Sequence, residues 1–182
     1  GISSLAGNIL LNSNTTIGVP GTSLTLSGVI SGSANLTKVG AGSLILSNNN
    51  TYVGATNINA GTLQLSVANV LPDNTAVTLA DVAGAILDLN NFNETIGSLA
   101  GGGTTGGNVV LGSGVLTIGG DNTSTTYNGG LGGRGGFTKG GSGTFTFGGT
   151  NTFSGFTNVN AGTLSVTNAA ALSTTEAGKD CS

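Results

Sequence analysis

Seven acidic side chains, four basic ones, one cysteine and no histidine make up nearly all the ionisable chemistry of this 182-residue sequence. Asp81, Asp88 and Glu94 are the carboxylates whose spacing invites acid–base work. Glycoside hydrolysis needs two of them about 5 to 9.5 Å apart. Nothing in the sequence marks these three as a pair, and one Arg with no His and no Trp leaves few partners to stack a sugar or stabilise charge. The sequence therefore predicts no enzyme and no catalytic residues. Gly130-Leu-Gly-Gly-Arg-Gly135 matches G-x-G-x-x-G, but a dinucleotide site needs a helix after it, and Phe137-Thr-Lys139 opens another strand instead. Asp121, after Gly119-Gly120, does not recur as calcium-binding glycine repeats require. No cofactor and no metal site are expected.

Other residues carry weaker signals. Lys38 and Lys139 occupy one position of an internal repeat, as do Thr37 and Thr138. The expected role is a solvated residue at a strand-to-turn junction rather than a ligand contact. Thr144, Thr146 and Thr157 suggest a flat threonine face able to bind ice or sugars, yet the aligned Ser43 and Ile45 break it. Cys181 lies one residue from the end and reads as incidental. Asn14, Asn49, Asn93 and Asn122 are glycosylation sequons that matter only in a eukaryotic secretory pathway.

Composition removes whole classes. Charged residues make up 6% of the chain, where about 25% is usual. Four basic residues at net charge −3 cannot replace phosphate counterions, so no nucleic-acid partner is expected. A single Cys builds no disulfide framework. The longest apolar stretch, 76–89, falls short of a membrane span and is broken by Thr78, Asp81, Gly84 and Asp88, so no membrane insertion by this segment is expected. The 35 glycines have no period of three, which excludes collagen.

The elements that position these residues read as strands. Large apolar residues stand two apart in Ser23–Ser27, Ser43–Ser47, Gly61–Leu65, Ala76–Leu79, Ala85–Leu89, Gly114–Ile118, Thr144–Phe147 and Gly162–Val166. That alternation marks a strand with one buried face. Gly, Asn, Ser and Thr fill the intervals as turn residues. Asn8–Leu11 and Thr15–Ile17 also read as strands. Ala169–Ala177 is the longest stretch compatible with a helix.

Residues 36–65 and 137–166 align without a gap at an offset of about 101. Lys38, Gly40, Gly42, Asn50-Thr51 and Asn59-Ala-Gly-Thr-Leu63 meet Lys139, Gly141, Gly143, Asn151-Thr152 and Asn160-Ala-Gly-Thr-Leu164. A short strand with one apolar face cannot bury it alone, whereas stacked copies can. Leu44, Leu46, Phe145 and Phe147 are expected to point inward. Asn runs such as Asn48-Asn49-Asn50 suit corners and side-chain ladders. Sparse charge fits, because stacked like charges repel.

The pattern L-T-K-x-G-x-G-(S/T)-L-x-L through N-A-G-T-L, present twice, resembles the autotransporter-associated β-strand repeat of Gram-negative passenger domains. The resemblance spans roughly residues 20–170. It implies a right-handed parallel β-helix of roughly eight rungs over residues 1–170, secreted and displayed at the bacterial surface, with residues 171–182 as an irregular tail or truncated rung. It implies no catalytic activity. The expected function is a structural stalk or filament segment. Its partner is expected to be itself, end to end or through flanking rungs. The alternative is an adhesin holding host glycan or protein through loops at 99–108 or 121–137. A polysaccharide-active enzyme ranks below both. Residues 1–20 carry no charge and show no polar cap, which would suit further rungs or end-to-end stacking.

Overall fold

A computed structural model describes residues 2–168, and among these there are strands and no helix. The chain winds as a parallel β-solenoid of about eight turns. Each turn crosses three faces. Face one stacks Ile2–Leu5, Ser23–Leu26, Ser43–Leu46, Thr62–Leu65, Ile86–Asp88, Asn108–Gly112 and Leu131–Gly133. Face three stacks Thr15–Gly18, Leu36–Val39, Thr56–Ile58, Ala76–Leu79, Ser98–Gly101, Thr125–Tyr127, Thr144–Phe147 and Thr163–Val166. Face two begins with Ile9–Leu11 and Ile30–Gly32 and ends with Glu94–Ile96, Leu116–Ile118, Phe137–Lys139 and Thr157–Val159. Between these, residues 50–53 and 69–71 carry face two without strand geometry. Thr51 N–H donates to Ile30 O at 2.9 Å, Asn50 N–H to Val70 O at 3.0 Å, and Asn69 N–H to Asn93 O at 3.1 Å.

Register fixes the turn length. Ile2 pairs with Ser23, Ser23 with Ser43, Ser43 with Thr62 and Thr62 with Ile86, which are steps of 21, 20, 19 and 24 residues. In most strands alternate residues, chiefly the larger apolar ones, point to the axis, while a few apolar residues such as Leu10 and Val110 face outward. Leu44, Leu46, Phe145 and Phe147 are buried, and they join Leu36, Leu63, Val77, Leu87, Leu99 and Leu131 in one continuous core. The predicted strings all contain strands, shortened by a residue or two at several ends; Gly114–Ile118, for instance, is strand only at Leu116–Ile118. Ala169–Ala177, the expected tail at 171–182 and Cys181 lie outside the described residues.

The two repeat copies are out of phase with the turns. From Leu36 on face three, the chain returns to that face at Thr56, Ala76, Ser98 and Thr125, which is four turns. Two further faces bring it to Phe137, the counterpart of Leu36, on face two. The offset of 101 residues is therefore four and two-thirds turns, and every residue of the second copy stands one face away from its equivalent.

Candidate functional site

Lys38 and Lys139 are both 1% exposed, which corrects the expectation of solvated lysines. Lys38 Nζ donates to Val39 O at 3.0 Å, Gly40 O at 2.7 Å and, one turn on, Ala60 O at 3.0 Å. Lys139 Nζ repeats this with Gly140 O, with Gly141 O at 2.9 Å and with Ala161 O at 3.3 Å. An ammonium has three donors, and three carbonyls take them all. The charge is thus buried at a corner where backbone dipoles converge. Burial pushes both amines below the ordinary lysine value.

This corner explains the motif shared by the copies. Gly61 and Gly162 sit at φ 65° and 68°, and a Cβ on Gly61 would lie 2.8 Å from Lys38 Nζ. The T-K-x-G segment supplies the amine and two carbonyls, and N-A-G supplies the third carbonyl and a turn without a side chain. Lysine fastens one turn to the next. It is not available to a ligand.

The other shared polar residues serve the same end. Asn50 Oδ1 accepts from Ile30 N–H at 2.7 Å while its Nδ2 donates to Val70 O at 2.9 Å, joining three turns. Asn151 Oδ1 accepts from Leu131 N–H at 2.8 Å. Asn14, Asn93 and Asn122, noted as sequons, accept from Asn35, Val115 and Ser142 N–H of the following turn. The turns are tied from asparagine side chain to backbone, rather than by the expected ladder of side chain to side chain. Tyr52 and Phe153 are buried, whereas Phe156 is 52% exposed. Tyr52 Oη lies 2.6 Å from Thr56 Oγ1, which lies 3.1 Å from Thr75 Oγ1.

The three carboxylates are not brought together as a catalytic pair. Asp81, in the loop after Ala76–Leu79, accepts from Thr105 and Gly106 N–H at 2.7 and 2.9 Å. Asp88, on face one, takes Gln64 Nε2 at 2.8 Å. Glu94, on face two, is buried and accepts from Val70 and Leu71 N–H at 2.9 and 3.2 Å. Burial lifts its carboxyl to about 7 against the pull of those bonds. Sequence reasoning missed this role; a lone acid before alternating Thr95-Ile96 was its only signal. Asp121 is raised by burial, but hydrogen bonds from Ser98 and from the Thr123 N–H and hydroxyl outweigh that and hold it below the ordinary value. Among the described residues no three His, Cys, Asp or Glu side chains gather to hold a metal. The glycine motif at 130–135 lies on Leu131–Gly133 and runs into the strand Phe137–Lys139. No helix of the described residues is long and apolar enough to cross a membrane.

The threonine comparison also changes. Ser43–Leu46 is on face one and Thr144–Phe147 on face three, so Ile45 and Thr146 are not stacked neighbours. Thr146 stacks between Thr126 and Ser165. Lower on face three, Thr16, Thr37, Asn57 and Thr78 stand in one column. Sequence alignment compared the wrong faces because the copies are rotated.

An open groove lies among the described residues. It encloses about 540 Å³ along the corner from face three to face one, across four successive turns. Gly103, Thr104 and Asn108 line it from the loop at 99–108, and Asn128 and Gly130 from 121–137. The two loops picked from sequence are thus neighbours. Gly148, Gly149, Thr150 and Asn168 complete the wall.

These features define a parallel β-solenoid, stacked from charge-poor repeats and tied through backbone. Residues 36–65 and 137–166 match the model of the passenger-associated-transport-repeat family. A relative, the adhesin BmaC autotransporter of Brucella suis biovar 1 (strain 1330), is 44% identical over 119 residues. That match covers 65% of this chain and 4% of the relative, so the chain spans a small fraction of the protein it resembles. No solved structure matches. The chain carries two copies of that repeat and is similar to part of an autotransporter, and the repeat and the relative indicate an extracellular, cell-surface location.

Proposed function

We propose that this segment is a non-enzymatic stalk: a stiff rod that holds other parts of a surface protein away from the cell. The observation that carries this reading is the fate of the residues shared by the two copies. Lys38, Asn50, Lys139 and Asn151 are all spent on bonds between turns. A chain whose repeated polar groups are consumed internally is built for stacking. Its partner is itself, through flanking turns or end to end. Electron microscopy of the purified chain over a dilution series tests this. Short rods of constant length support a stalk module. Fibres that lengthen with concentration support end-to-end assembly as the function. Amorphous material contradicts an autonomous rod.

A second reading is adhesion to host glycan or protein. Two observations favour it: the groove joins the two loops, and the relative is named an adhesin.

A further inference from the structure

We propose that the groove on the corner from face three to face one binds a neutral, hydroxyl-rich glycan chain, an inference that rests on the adhesive reading. Its polar wall is Thr104, Asn108, Asn128, Thr150 and Asn168, with glycine elsewhere and no charged side chain. Sialylated, sulfated or phosphorylated ligands need Arg or Lys. Among the described residues the cations are Lys38, Lys139 and Arg134; both lysines are buried, and Arg134 does not line the groove. A protein partner needs apolar or aromatic anchors in a pocket, and the groove supplies none. Amides and hydroxyls both donate and accept, as sugar hydroxyls do.

The groove is opened by local chemistry. Gly148 and Gly149 stand where the first copy has Ser47 and Asn48. A Cβ at position 148 would run into Asn128 Oδ1, so the missing side chain is what makes room for Asn128. Beside the groove, face three turns its hydroxyls outward in register. Thr126 pairs with Thr146 and Thr146 with Ser165, while Thr144 pairs with Thr163 and donates its N–H to Ser124 Oγ at 3.0 Å. These rows recur at the turn spacing of about 4.8 Å. An extended chain laid along the rod meets a new hydroxyl pair at each turn, which suits an oligosaccharide better than a single sugar.

The test uses the purified chain on an array of neutral glucan, mannan and N-acetylglucosamine oligomers beside sialylated and sulfated ones, with immobilised matrix proteins alongside. Binding to a neutral oligomer is expected. Thr104→Ala with Asn128→Ala should weaken it at least fivefold with an unchanged circular dichroism spectrum. Thr16→Ala with Asn57→Ala, on the same face in distant turns, should leave it unaltered. Binding confined to charged glycans, or unaffected by the first pair, overturns the proposal. Binding to matrix protein alone, lost in the first pair, overturns the glycan assignment and keeps the adhesive reading. Binding to nothing overturns both.

Discussion

The two repeat copies use one clamp around two different cores. In residues 36–65 the axis is filled by Leu36, Leu44, Leu46 and Tyr52; in 137–166 their equivalents are Phe137, Phe145, Phe147 and Phe153. The rings pack at centroid distances from 4.9 to 6.5 Å. The lysine corner keeps the same three carbonyl positions in both. Backbone closure is the invariant here, and the filling is exchangeable within a volume. The difference reaches the polar interior too. Tyr52 brings a hydroxyl that joins Thr56 and Thr75, and Phe153 brings none. Rotation by one face separates the copies further, so the shared corner lies between faces three and one in the first copy and between two and three in the second. Anything recognising one side of the rod meets the two copies differently.

The largest expected effect probes the filling. Phe147 touches three other rings, so Phe147→Ala should cost about 3–5 kcal/mol, at the upper end of what Leu46→Ala costs in the first copy. Denaturant melts of the two variants check this, and equal losses would show that the aromatic cluster adds nothing beyond volume.

Next comes the clamp. Lys38→Met takes the amine donor from Gly40 O and Ala60 O, while Val39 O keeps the Val19 N–H, at about 1 kcal/mol for each carbonyl left, or about 2 kcal/mol. Lys139→Met should cost less. Its partner turn holds Thr157–Val159, exposed at all three positions, where water reaches freed carbonyls. Amide exchange of residues 60–62 and 161–163 measures the two sides.

The segment between the copies adds a titrating tie. Glu94 rises from an ordinary 4.5 to about 7 in the fold, so the folded state binds the proton more tightly. Its contribution is full below about pH 4.5 and is lost as pH rises to about 7. Stability should therefore fall across that window by up to about 3 kcal/mol. Glu94→Gln should flatten the profile, and an unchanged slope would remove Glu94 as its source.

The smallest effect converts one copy toward the other. Tyr52→Phe should cost about 1 kcal/mol, since Thr56 keeps Thr75 as a partner. A thermal melt resolves it.

The inward leucines and phenylalanines were legible because a period of two is a local property. Lys38 was not, because the carbonyls that satisfy it come from Val39, Gly40 and Ala60, and the last is a neighbour only after a full turn. A charged residue read alone looks solvated. The offset of 101 residues was legible, but not its two-thirds of a turn, because turns vary from 19 to 26 residues and only register counts them. That missing fraction also set Thr146 against the wrong neighbour. The loops at 99–108 and 121–137 were picked out singly, and the solenoid made them one groove.

Lysine acylation read by mass spectrometry tests most directly that the repeated polar residues are internal fasteners. In the native chain Lys38 and Lys139 should resist labelling and react fully only after denaturation. Native labelling of both at the rate of free lysine would contradict the clamp and return them to the surface.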